Sequence, residues 1–207
     1  MDPIDLIMAC KTGNLGKVKK LIGAGANIHA YNDAALRRAV ENGHLEVVKY
    51  LVKHGANIHA VGSYSLGWAV SDGHLEVIKY LAERGANIQK EYTLEVAVWR
   101  GHLKIVKYLV ERGADIHCKN EGALQDAVSK NYPEIIAYLI EKGADVRKVD
   151  FEKLVSRRKY KGVLYLLLDA LSKEGLMPLL LSNNSRLRKA VKAYLRSRRY
   201  SGSNRGL

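Results

Sequence analysis

Apolar residues follow a helical period in two blocks that alternate along most of the chain. In the first block Leu, Ala and Val recur at i, i+3 and i+4, and its five copies begin at Leu6, Leu36, Leu66, Leu94 and Leu124. The second block has the same spacing, as at Leu45, Val48 and Val52. This spacing places apolar side chains on one face of an α-helix. The pattern therefore predicts pairs of short amphipathic helices.

The helix pairs recur with a near-constant period. GHLEVVKYLVKHGANIHA begins at Gly43, close copies begin at Gly13, Gly73 and Gly101, and a weaker copy begins at Asn131. One Gly separates the two blocks, and a second Gly follows the second block, where a left-handed residue ends many helices. A short extended connection then leads to the next copy. Because two short helices cannot bury their apolar faces alone, we expect the copies to stack into a right-handed solenoid.

The recurring G-H-L-E-[VI]-V-K-Y-L and G-A-[ND]-[IV] segments resemble the second half of the ankyrin repeat over residues 4–148. The idiom HLEVVKYLV…GANIHA also resembles the large ankyrin-repeat families of giant amoeba-infecting DNA viruses, of the mimivirus type. This resemblance implies an all-α solenoid of helix-turn-helix units. The period is about three residues shorter than the usual 33, and of the Thr-Pro-Leu-His opening only Leu remains. We therefore expect the hairpin loops between repeats to be shortened.

The repeat pattern divides the chain into three parts. Residues 1–148 hold five repeats, with approximate bounds 1–30, 31–60, 61–90, 91–120 and 121–148. Residues 149–171 keep the two-block rhythm without the glycine marks. We interpret them as a degenerate capping repeat, whose polar outer face is supplied by Arg157, Arg158, Lys159 and Lys161. Residues 172–207 are predicted to form a basic C-terminal helix and a disordered end.

Composition shows that the charge is unevenly distributed along the chain, and it indicates the cellular compartment. The net charge is +13, but residues 1–146 contribute 18 basic and 17 acidic side chains, whereas residues 175–207 contribute 8 and 0. Partner arguments based on charge therefore belong to the C-terminal region. Two cysteines without a framework favour a reducing, intracellular compartment, the cytoplasm or the nucleus. We recognise no signal peptide, and no apolar stretch approaches the length of a membrane span.

The histidines and glutamates resemble the residues of a catalytic or metal-binding site, but they recur in the same slots of successive repeats. His44, His74 and His102 follow the first Gly of their copies, and a second set follows Gly-Ala-Asn/Asp-Ile at His29, His59 and His117. We interpret them as repeated structural hydrogen-bond groups. Glu46 and Glu76 fit the first turn of a helix, where the dipole favours acids, and Lys104 replaces them in the next copy. No metal-ligand spacing or phosphate-binding loop is present, so we expect no cofactor and no enzymatic activity.

Positions that differ between copies are free to specify a partner. Trp68 and Trp99 are the two tryptophans. Trp68 occupies a slot that is more often interior, which favours core packing with partner contact as the alternative, whereas the slot of Trp99 favours the surface. Trp, Tyr and Arg are enriched in interface hot spots. The candidate partner-binding residues are Tyr64, Trp68, Tyr92, Trp99, Arg100 and Lys130. The constant Tyr50, Tyr80, Tyr108 and Tyr138 are interpreted as half-buried scaffold with hydroxyls that reach solvent.

The C-terminal segment is predicted to be a short amphipathic helix, capped by Asn184 or Ser185 and followed by RSRRY and a Gly/Ser-rich end. One interpretation is that its apolar face, which includes Leu187 and Val191, docks on the last repeat and its charges are solvated. The alternatives are a nuclear-import or nucleic-acid contact, or contact with an anionic membrane surface. Its cations are Arg186, Arg188, Lys189, Lys192, Arg196, Arg198 and Arg199.

We expect a monomeric, non-enzymatic module that binds a partner protein, with a host protein as one candidate, through the loops and first helices of the concave face. The alternative is a nucleic-acid-associated or nuclear adaptor that acts through the basic tail, by weak contact with phosphates or an anionic surface. By analogy with some viral ankyrin proteins that end in an F-box-like segment, an adaptor of ubiquitin ligases is a third possibility. It ranks low, because residues 175–200 show no clear match to such a segment.

Overall fold

The computed structural model describes residues 2–88, 92–155, 160–171 and 173–202. These residues form α-helices and two 3-10 helices, and no strand occurs among them. The all-α fold class is thereby confirmed, and no β-hairpin occurs in the connections that are described. Contacts divide the chain into two compact units, Met1–Ala114 and Asp115–Leu207.

The first unit is built of helix pairs in which the two helices are joined by a tight turn. Its helices are α1 (Pro3–Lys11), α2 (Leu15–Gly23), α3 (Ala30–Glu41), α4 (Leu45–Lys53), α5 (Ser63–Ser71), α6 (Leu75–Glu83), α7 (Thr93–Arg100) and α8 (Leu103–Glu111). The first helices α1, α3, α5 and α7 pack side by side, and α2, α4 and α6 form a second row. This arrangement buries one face of each helix against its neighbours.

The core lies where the repeated apolar slots predicted it. The Leu that opens each first block is buried in all five copies, and so are the Ala and Val that follow at i+3 and i+4. Cys10 replaces that Val in the first copy and is fully buried, as its slot indicated. Burial raises the pKa of the Cys10 thiol to about 12, because the apolar interior disfavours the thiolate. This cysteine is therefore a small apolar filler of the core.

Two repeats of the first unit are each tied to the preceding repeat by a histidine. The Nε2–H of His44 donates to the carbonyl of Lys11 over 2.9 Å, and the Nε2–H of His102 donates to the carbonyl of Ser71 over 2.8 Å. These carbonyls lie at the ends of α1 and α5, where no intrahelical partner is available. The structural interpretation of this histidine slot is confirmed at both positions.

The connection between the first two repeats is a turn of left-handed helix. Tyr31, Asn32 and Asp33 all have positive φ angles, between 52° and 56°, which L-residues rarely adopt in succession. The guanidinium of Arg37 donates to the carbonyls of Tyr31 and Asn32, and Asp33 accepts from the imidazole of His29 and from the backbone N–H of Asn57. The prediction of an extended connection is wrong here, because side-chain hydrogen bonds stabilise a tighter path.

The second unit contains the fifth repeat and the C-terminal helices. Its helices are α9 (Cys118–Lys130), α10 (Pro133–Glu141), α11 (Phe151–Val155), α12 (Lys161–Ala170), α13 (Lys173–Leu181) and α14 (Ser185–Gly202). A second left-handed turn occupies Lys119, Asn120 and Glu121. Gln125 donates to the carbonyl of Asn120 over 2.7 Å, and so takes the place that Arg37 has in the second repeat. The extended connection predicted here is wrong for the same reason.

Residues 149–171, predicted to cap the array, contain the helices α11 and α12. Tyr160 precedes α12, in the position that histidine holds in earlier copies, and its hydroxyl donates to the carbonyl of Ser129 over 2.8 Å. Lys161 is exposed, whereas Arg157, Arg158 and Lys159 lie outside the described residues. The bounds of the repeats and of the cap remain predictions.

The predicted end of the C-terminal helix is wrong. α14 continues to Gly202, so the RSRRY segment is helical instead of following the helix. Good helix formers such as Arg fill this stretch, and no residue before Gly202 has the conformational freedom that ends a helix. Asn184 caps α14 as expected, since its Oδ1 accepts from the N–H groups of Arg186 and Leu187. Of the Gly/Ser-rich end predicted to be disordered after RSRRY, Ser201 and Gly202 belong to α14, and residues 203–207 lie outside the described residues.

The repeated tyrosines of the second helices are mostly half-buried. Tyr50, Tyr80 and Tyr108 match this prediction, and Tyr138 is buried. The guanidinium of Arg84 lies 4.1 Å from the ring centroid of Tyr80. The prediction that the hydroxyls reach solvent is wrong for Tyr108, whose hydroxyl oxygen is buried. Packing in the stack, and not the phenol group, therefore determines where these side chains lie.

Candidate protein-binding surface

One face of the first helices of unit 1 is only partly covered by the repeat core. Counted from the repeated buried Leu, the face consists of the residues at −2, +2 and +5, which lie within one narrow sector of a helix with 3.6 residues per turn. The −2 slot of α3 holds the buried Ala34. Aromatic residues hold the −2 and +2 slots of α5 and, in the next copy, the −2 slot just before α7 and the +5 slot near its end. We call the four side chains Tyr64, Trp68, Tyr92 and Trp99 the aromatic surface.

The members of the aromatic surface are exposed although they are large and apolar. Their exposed fractions are 70% for Tyr64, 44% for Trp68, 58% for Tyr92 and 50% for Trp99. Tyr64 and Trp68 lie one helical turn apart on α5, with ring centroids 6.1 Å apart and an interplanar angle of 73°. This edge-to-face geometry is favourable for aromatic pairs and fixes both rings before any ligand arrives.

The preference for core packing of Trp68 is wrong. Its Cα lies two residues after the buried Leu66, on the side of α5 that neither the neighbouring helices nor α6 cover. The indole is 44% exposed and lies against Tyr64. The prediction of surface exposure for Trp99 agrees with the structure.

The aromatic surface has a polar border on the second repeat. The same slots on α3 hold Arg38 and Glu41, whose Nη1 and Oε2 atoms are 2.7 Å apart. The other carboxylate oxygen of Glu41 accepts from the hydroxyl of Ser65 over 2.7 Å. These bonds tie α3 to α5 and satisfy a carboxylate that is only 11% exposed. The border is therefore a fixed, neutralised pair and not a mobile charge.

The other two candidate residues differ in their placement. Arg100 is exposed at the end of α7, next to Trp99, and borders the aromatic surface. Lys130 is only partly exposed and belongs to the second unit. The structure thus brings Arg100 together with the aromatic residues in one unit, whereas Lys130 belongs to the other.

Tyr31 is an exposed aromatic residue that the candidate list omitted. It is 66% exposed and begins the left-handed turn that Arg37 stabilises. Arg37 is one of the positions that differ between copies, but its guanidinium donates to two carbonyls of this turn. The sequence did contain a signal of the left-handed turn that Tyr31 begins. The second and fifth copies share the pattern H-x-x-N-[DE]-x-A-L-[RQ], which starts at His29 and His117.

The cations of the basic tail fall into two groups. Arg186, Lys189, Lys192 and Arg196 are exposed. The guanidinium of Arg188 donates to the carbonyl of Ser182 over 2.7 Å, and that of Arg198 pairs with Asp169. The side chain of Arg199 lies outside the described part of the chain. The four cations of the first group are therefore exposed together, whereas Arg188 and Arg198 are held by contacts within the protein.

The apolar face of α14 is occupied by the protein itself. Leu187, Val191 and Tyr194 are buried, and α14 packs on α11, α12 and α13. The hydroxyl of Tyr194 donates to Asp169 over 2.5 Å. Burial acts to raise the pKa of Asp169, but the hydrogen bonds from Tyr194 and Arg198 outweigh it and hold that pKa below its ordinary value. Docking of the tail on the last helices is the arrangement observed.

The two connections with a left-handed turn each place an imidazole beside a buried acid. The Nδ1 of His29 lies 3.1 Å from Asp33, and the Nδ1 of His117 lies 2.6 Å from Glu121. The hydrogen bond to Glu121 raises the pKa of His117 above its ordinary value. Within the described ranges, no group of three or more His, Cys, Asp and Glu side chains is arranged to hold a metal ion. The described helices also include none with the length and apolarity to cross a membrane.

Comparison with known proteins agrees with this architecture. The chain matches the family described as ankyrin repeats over three overlapping segments, residues 6–92, 61–120 and 90–150. It therefore belongs to the ankyrin-repeat family. Its fold is similar to the crystal structure of the human ASB11 ankyrin repeat domain, with a TM-score of 0.71 and 23% identity over 91% of this chain and 96% of that one. A comparison with curated proteins finds none that matches.

Family membership defines the general role of the scaffold. Ankyrin repeats are protein–protein interaction modules, and the fold is a non-catalytic interaction scaffold. The similarity to the human domain shows the fold alone. The class of protein is an ankyrin-repeat interaction scaffold.

Proposed function

We propose that this chain is a non-enzymatic protein-binding module that recognises one folded partner through the loops and first helices of the concave face. The main contact is assigned to the aromatic surface of unit 1. The observation that carries the proposal is the concentration of exposed aromatic side chains. Among the described residues, five exposed aromatic residues fall between Tyr31 and Trp99. Monomeric proteins rarely leave apolar surface of this kind exposed without a use for it.

The chemistry of these residues suits an interface. Trp and Tyr bury a large apolar area on binding, at a low cost in side-chain entropy, and the indole N–H and phenol O–H groups remain available for hydrogen bonds. Tyr64 and Trp68 support each other in an edge-to-face pair, so less order has to be imposed on binding. Arg100 and the Arg38–Glu41 pair supply the polar rim that typically surrounds such a patch.

The partner is a protein, and a host protein is one candidate if the resemblance to the repeat families of giant viruses reflects the source of the chain. The module is proposed to act as a monomer inside the cell, in the cytoplasm or the nucleus. Both cysteines are free thiols, which fits a reducing compartment.

Affinity capture with three forms of the full chain tests the proposal. The double variant W68A/W99A removes two members of the aromatic surface, and L181A is the matched control, since Leu181 is an exposed apolar side chain of unit 2. Proteins retained by the wild type and by L181A but not by W68A/W99A are then purified, and their affinity is measured by calorimetry. Loss of a hot-spot residue costs at least about 2 kcal/mol, or a factor of about 30 in affinity.

The proposal fails if every purified partner binds W68A/W99A as tightly as it binds the wild type. Thermal unfolding of each variant controls for damage to the fold. Truncation of exposed side chains leaves stability within roughly 0.5 kcal/mol, so the three forms are expected to unfold at similar temperatures.

A second candidate function has a separate structural basis. The alternative of a nucleic-acid-associated adaptor depends on the exposed cations of α14 and not on the aromatic surface. The two proposals are therefore independent, and either one can fail without the other.

A further inference from the structure

The exposed side of α14 carries cations in a regular order. Arg186, Lys189, Lys192 and Arg196 are spaced by three, three and four residues, so they form a stripe along one side of the helix. Residues 175–207 contain no Asp or Glu, and no acidic neighbour on α14 offsets these charges. We call these four side chains the cation stripe. Over ten residues at 1.5 Å each, the stripe is about 15 Å long.

The opposite side of α14 holds the stripe in place. Leu187, Val191 and Tyr194 are buried against the other helices of unit 2, and the pairs formed by Arg198 and Tyr194 with Asp169 fasten the C-terminal half. The rotation of α14 about its axis is therefore fixed with the cation stripe toward solvent. A ligand meets cations whose order is already set, so binding requires less ordering of the helix.

The same packing argues against a membrane as the ligand. An amphipathic helix binds a bilayer by placing its apolar face among the headgroups and acyl chains. In α14 that face is occupied by contacts within the protein. The described side chains that remain exposed on this helix are cations, serines and an alanine. Contact with a membrane is thus left with charge alone, without the apolar insertion that makes such binding strong.

We propose that the cation stripe of α14 binds the phosphate backbone of duplex nucleic acid without reading its sequence. Duplex DNA carries one charge per ~1.7 Å of its axis, so a stripe of about 15 Å faces several phosphates at once. A rigid duplex matches a rigid stripe, whereas a flexible single strand has to be ordered on binding. The described exposed side chains of α14 include no aromatic platform for unstacked bases, which also favours the duplex.

Titration of the full chain with a labelled DNA duplex of about 20 base pairs, at several salt concentrations, tests this proposal. Four phosphate contacts predict a slope of log K against log salt of about −3.6. The variant K189Q/K192Q/R196Q removes three contacts, so the slope falls to about −0.9 and the affinity drops more than tenfold. Gln is a good helix former, and loss of the fold is checked by circular dichroism.

A matched variant separates the cation stripe from the overall charge of the protein. Lys20, Lys53 and Lys104 are exposed on the second helices of unit 1, and K20Q/K53Q/K104Q loses the same three charges. We expect this variant to bind the duplex within about twofold of the wild type.

The proposal is overturned if K189Q/K192Q/R196Q and K20Q/K53Q/K104Q lose the same affinity for the duplex, because net charge alone then accounts for binding. It is also overturned if the wild type fails to bind the duplex, or if it binds phosphatidylserine vesicles in preference to the duplex.

Discussion

The imidazole of His44 lies directly over Gly13, the glycine that ends the first helix pair's tight turn one repeat earlier. A Cβ atom on Gly13 would lie 2.5 Å from the Nδ1 of His44, well inside van der Waals contact. The φ angle of Gly13 is +70°, in the left-handed region that favours glycine. The recurring Gly marks a turn and the recurring His looked like a candidate for chemistry, but the two residues together form one contact between successive repeats.

This contact predicts that Gly13→Ala is strongly destabilising. The substitution combines the cost of left-handed backbone for alanine, about 1 kcal/mol or more, with displacement of the His44 ring from its hydrogen bond to Lys11. The matched control is Gly25→Ala, because Gly25 also has positive φ but faces open space. Chemical denaturation is expected to show a larger loss of unfolding free energy for Gly13→Ala. Equal losses would contradict a role for the His44 contact.

The hydroxyl of Tyr160 is predicted to perform in the last helix pair what the histidines do earlier. Tyr160→Phe keeps the ring and removes the donor to the carbonyl of Ser129, at an expected cost of about 1 kcal/mol. The control is Tyr64→Phe, which removes the hydroxyl of a highly exposed ring and is expected to be nearly neutral. Urea denaturation measures both. A Tyr160→Phe protein as stable as Tyr64→Phe would show that the hydrogen bond contributes nothing.

Asn131 offers a stabilising substitution. It occupies the position that Gly43, Gly73 and Gly101 hold in other copies, and its φ angle is +63°. Asn131→Gly removes the steric cost of this backbone and is expected to stabilise the protein by about 0.5–1 kcal/mol. The control is Asn42→Gly, since Asn42 has a φ of −98°, so glycine there relieves no strain. It adds freedom to the unfolded chain and removes the hydrogen bond from Asn42 Nδ2 to the carbonyl of Arg38. Thermal unfolding should shift upward for the first variant and not for the second.

The pair of His117 and Glu121 predicts a pH dependence. The pKa of His117 is raised in the folded protein, chiefly by its hydrogen bond to Glu121. The resulting stabilisation is fully present below the unfolded-state pKa, about 6.5, and is lost as pH rises through the folded-state pKa. Glu121→Gln should therefore lower the pKa of His117, as measured in an NMR titration. The variant should also be less stable than the wild type at acidic pH, and this difference in unfolding free energy should shrink at alkaline pH, where the wild type loses the stabilisation.

Glu134→Gln is the control for this titration, because Glu134 is an exposed acid of the same unit. We expect it to leave the pKa of His117 unchanged. A His117 pKa that is the same in the wild type and in Glu121→Gln would show that another group causes the shift.

Periodicity predicted the helices and the core well, because burial on one helical face is a local property of sequence. The repeated Leu, Ala and Val slots gave the buried positions in every copy. The left-handed turns were missed because the period of the apolar residues says nothing of the polar side chains that hydrogen-bond to these turns. Asp33 bonds His29 and the backbone of Asn57, and Arg37 reaches back to two carbonyls. A variable slot can thus vary for structural reasons, as the Arg37 and Gln125 side chains demonstrate.

The surface residues were harder to predict than the core. Trp68 was assigned to the interior because the family slot is usually buried, yet its indole is exposed beside Tyr64. The end of α14 was placed too early because RSRRY has no apolar period of its own. Neither feature follows from the repeat, since both depend on residues that the other copies lack.

The hydrogen bonds from His44 to Lys11 and from His102 to Ser71 point backward along the chain. The carbonyls at the ends of α1 and α5 therefore acquire their partners only after the following repeat has been added. On the ribosome, each such helix would emerge unfinished and be completed by residues synthesised about 30 positions later. In this unit, the end of a first helix is thus completed by the repeat that follows it. Removal of that following repeat would leave the end of the helix frayed.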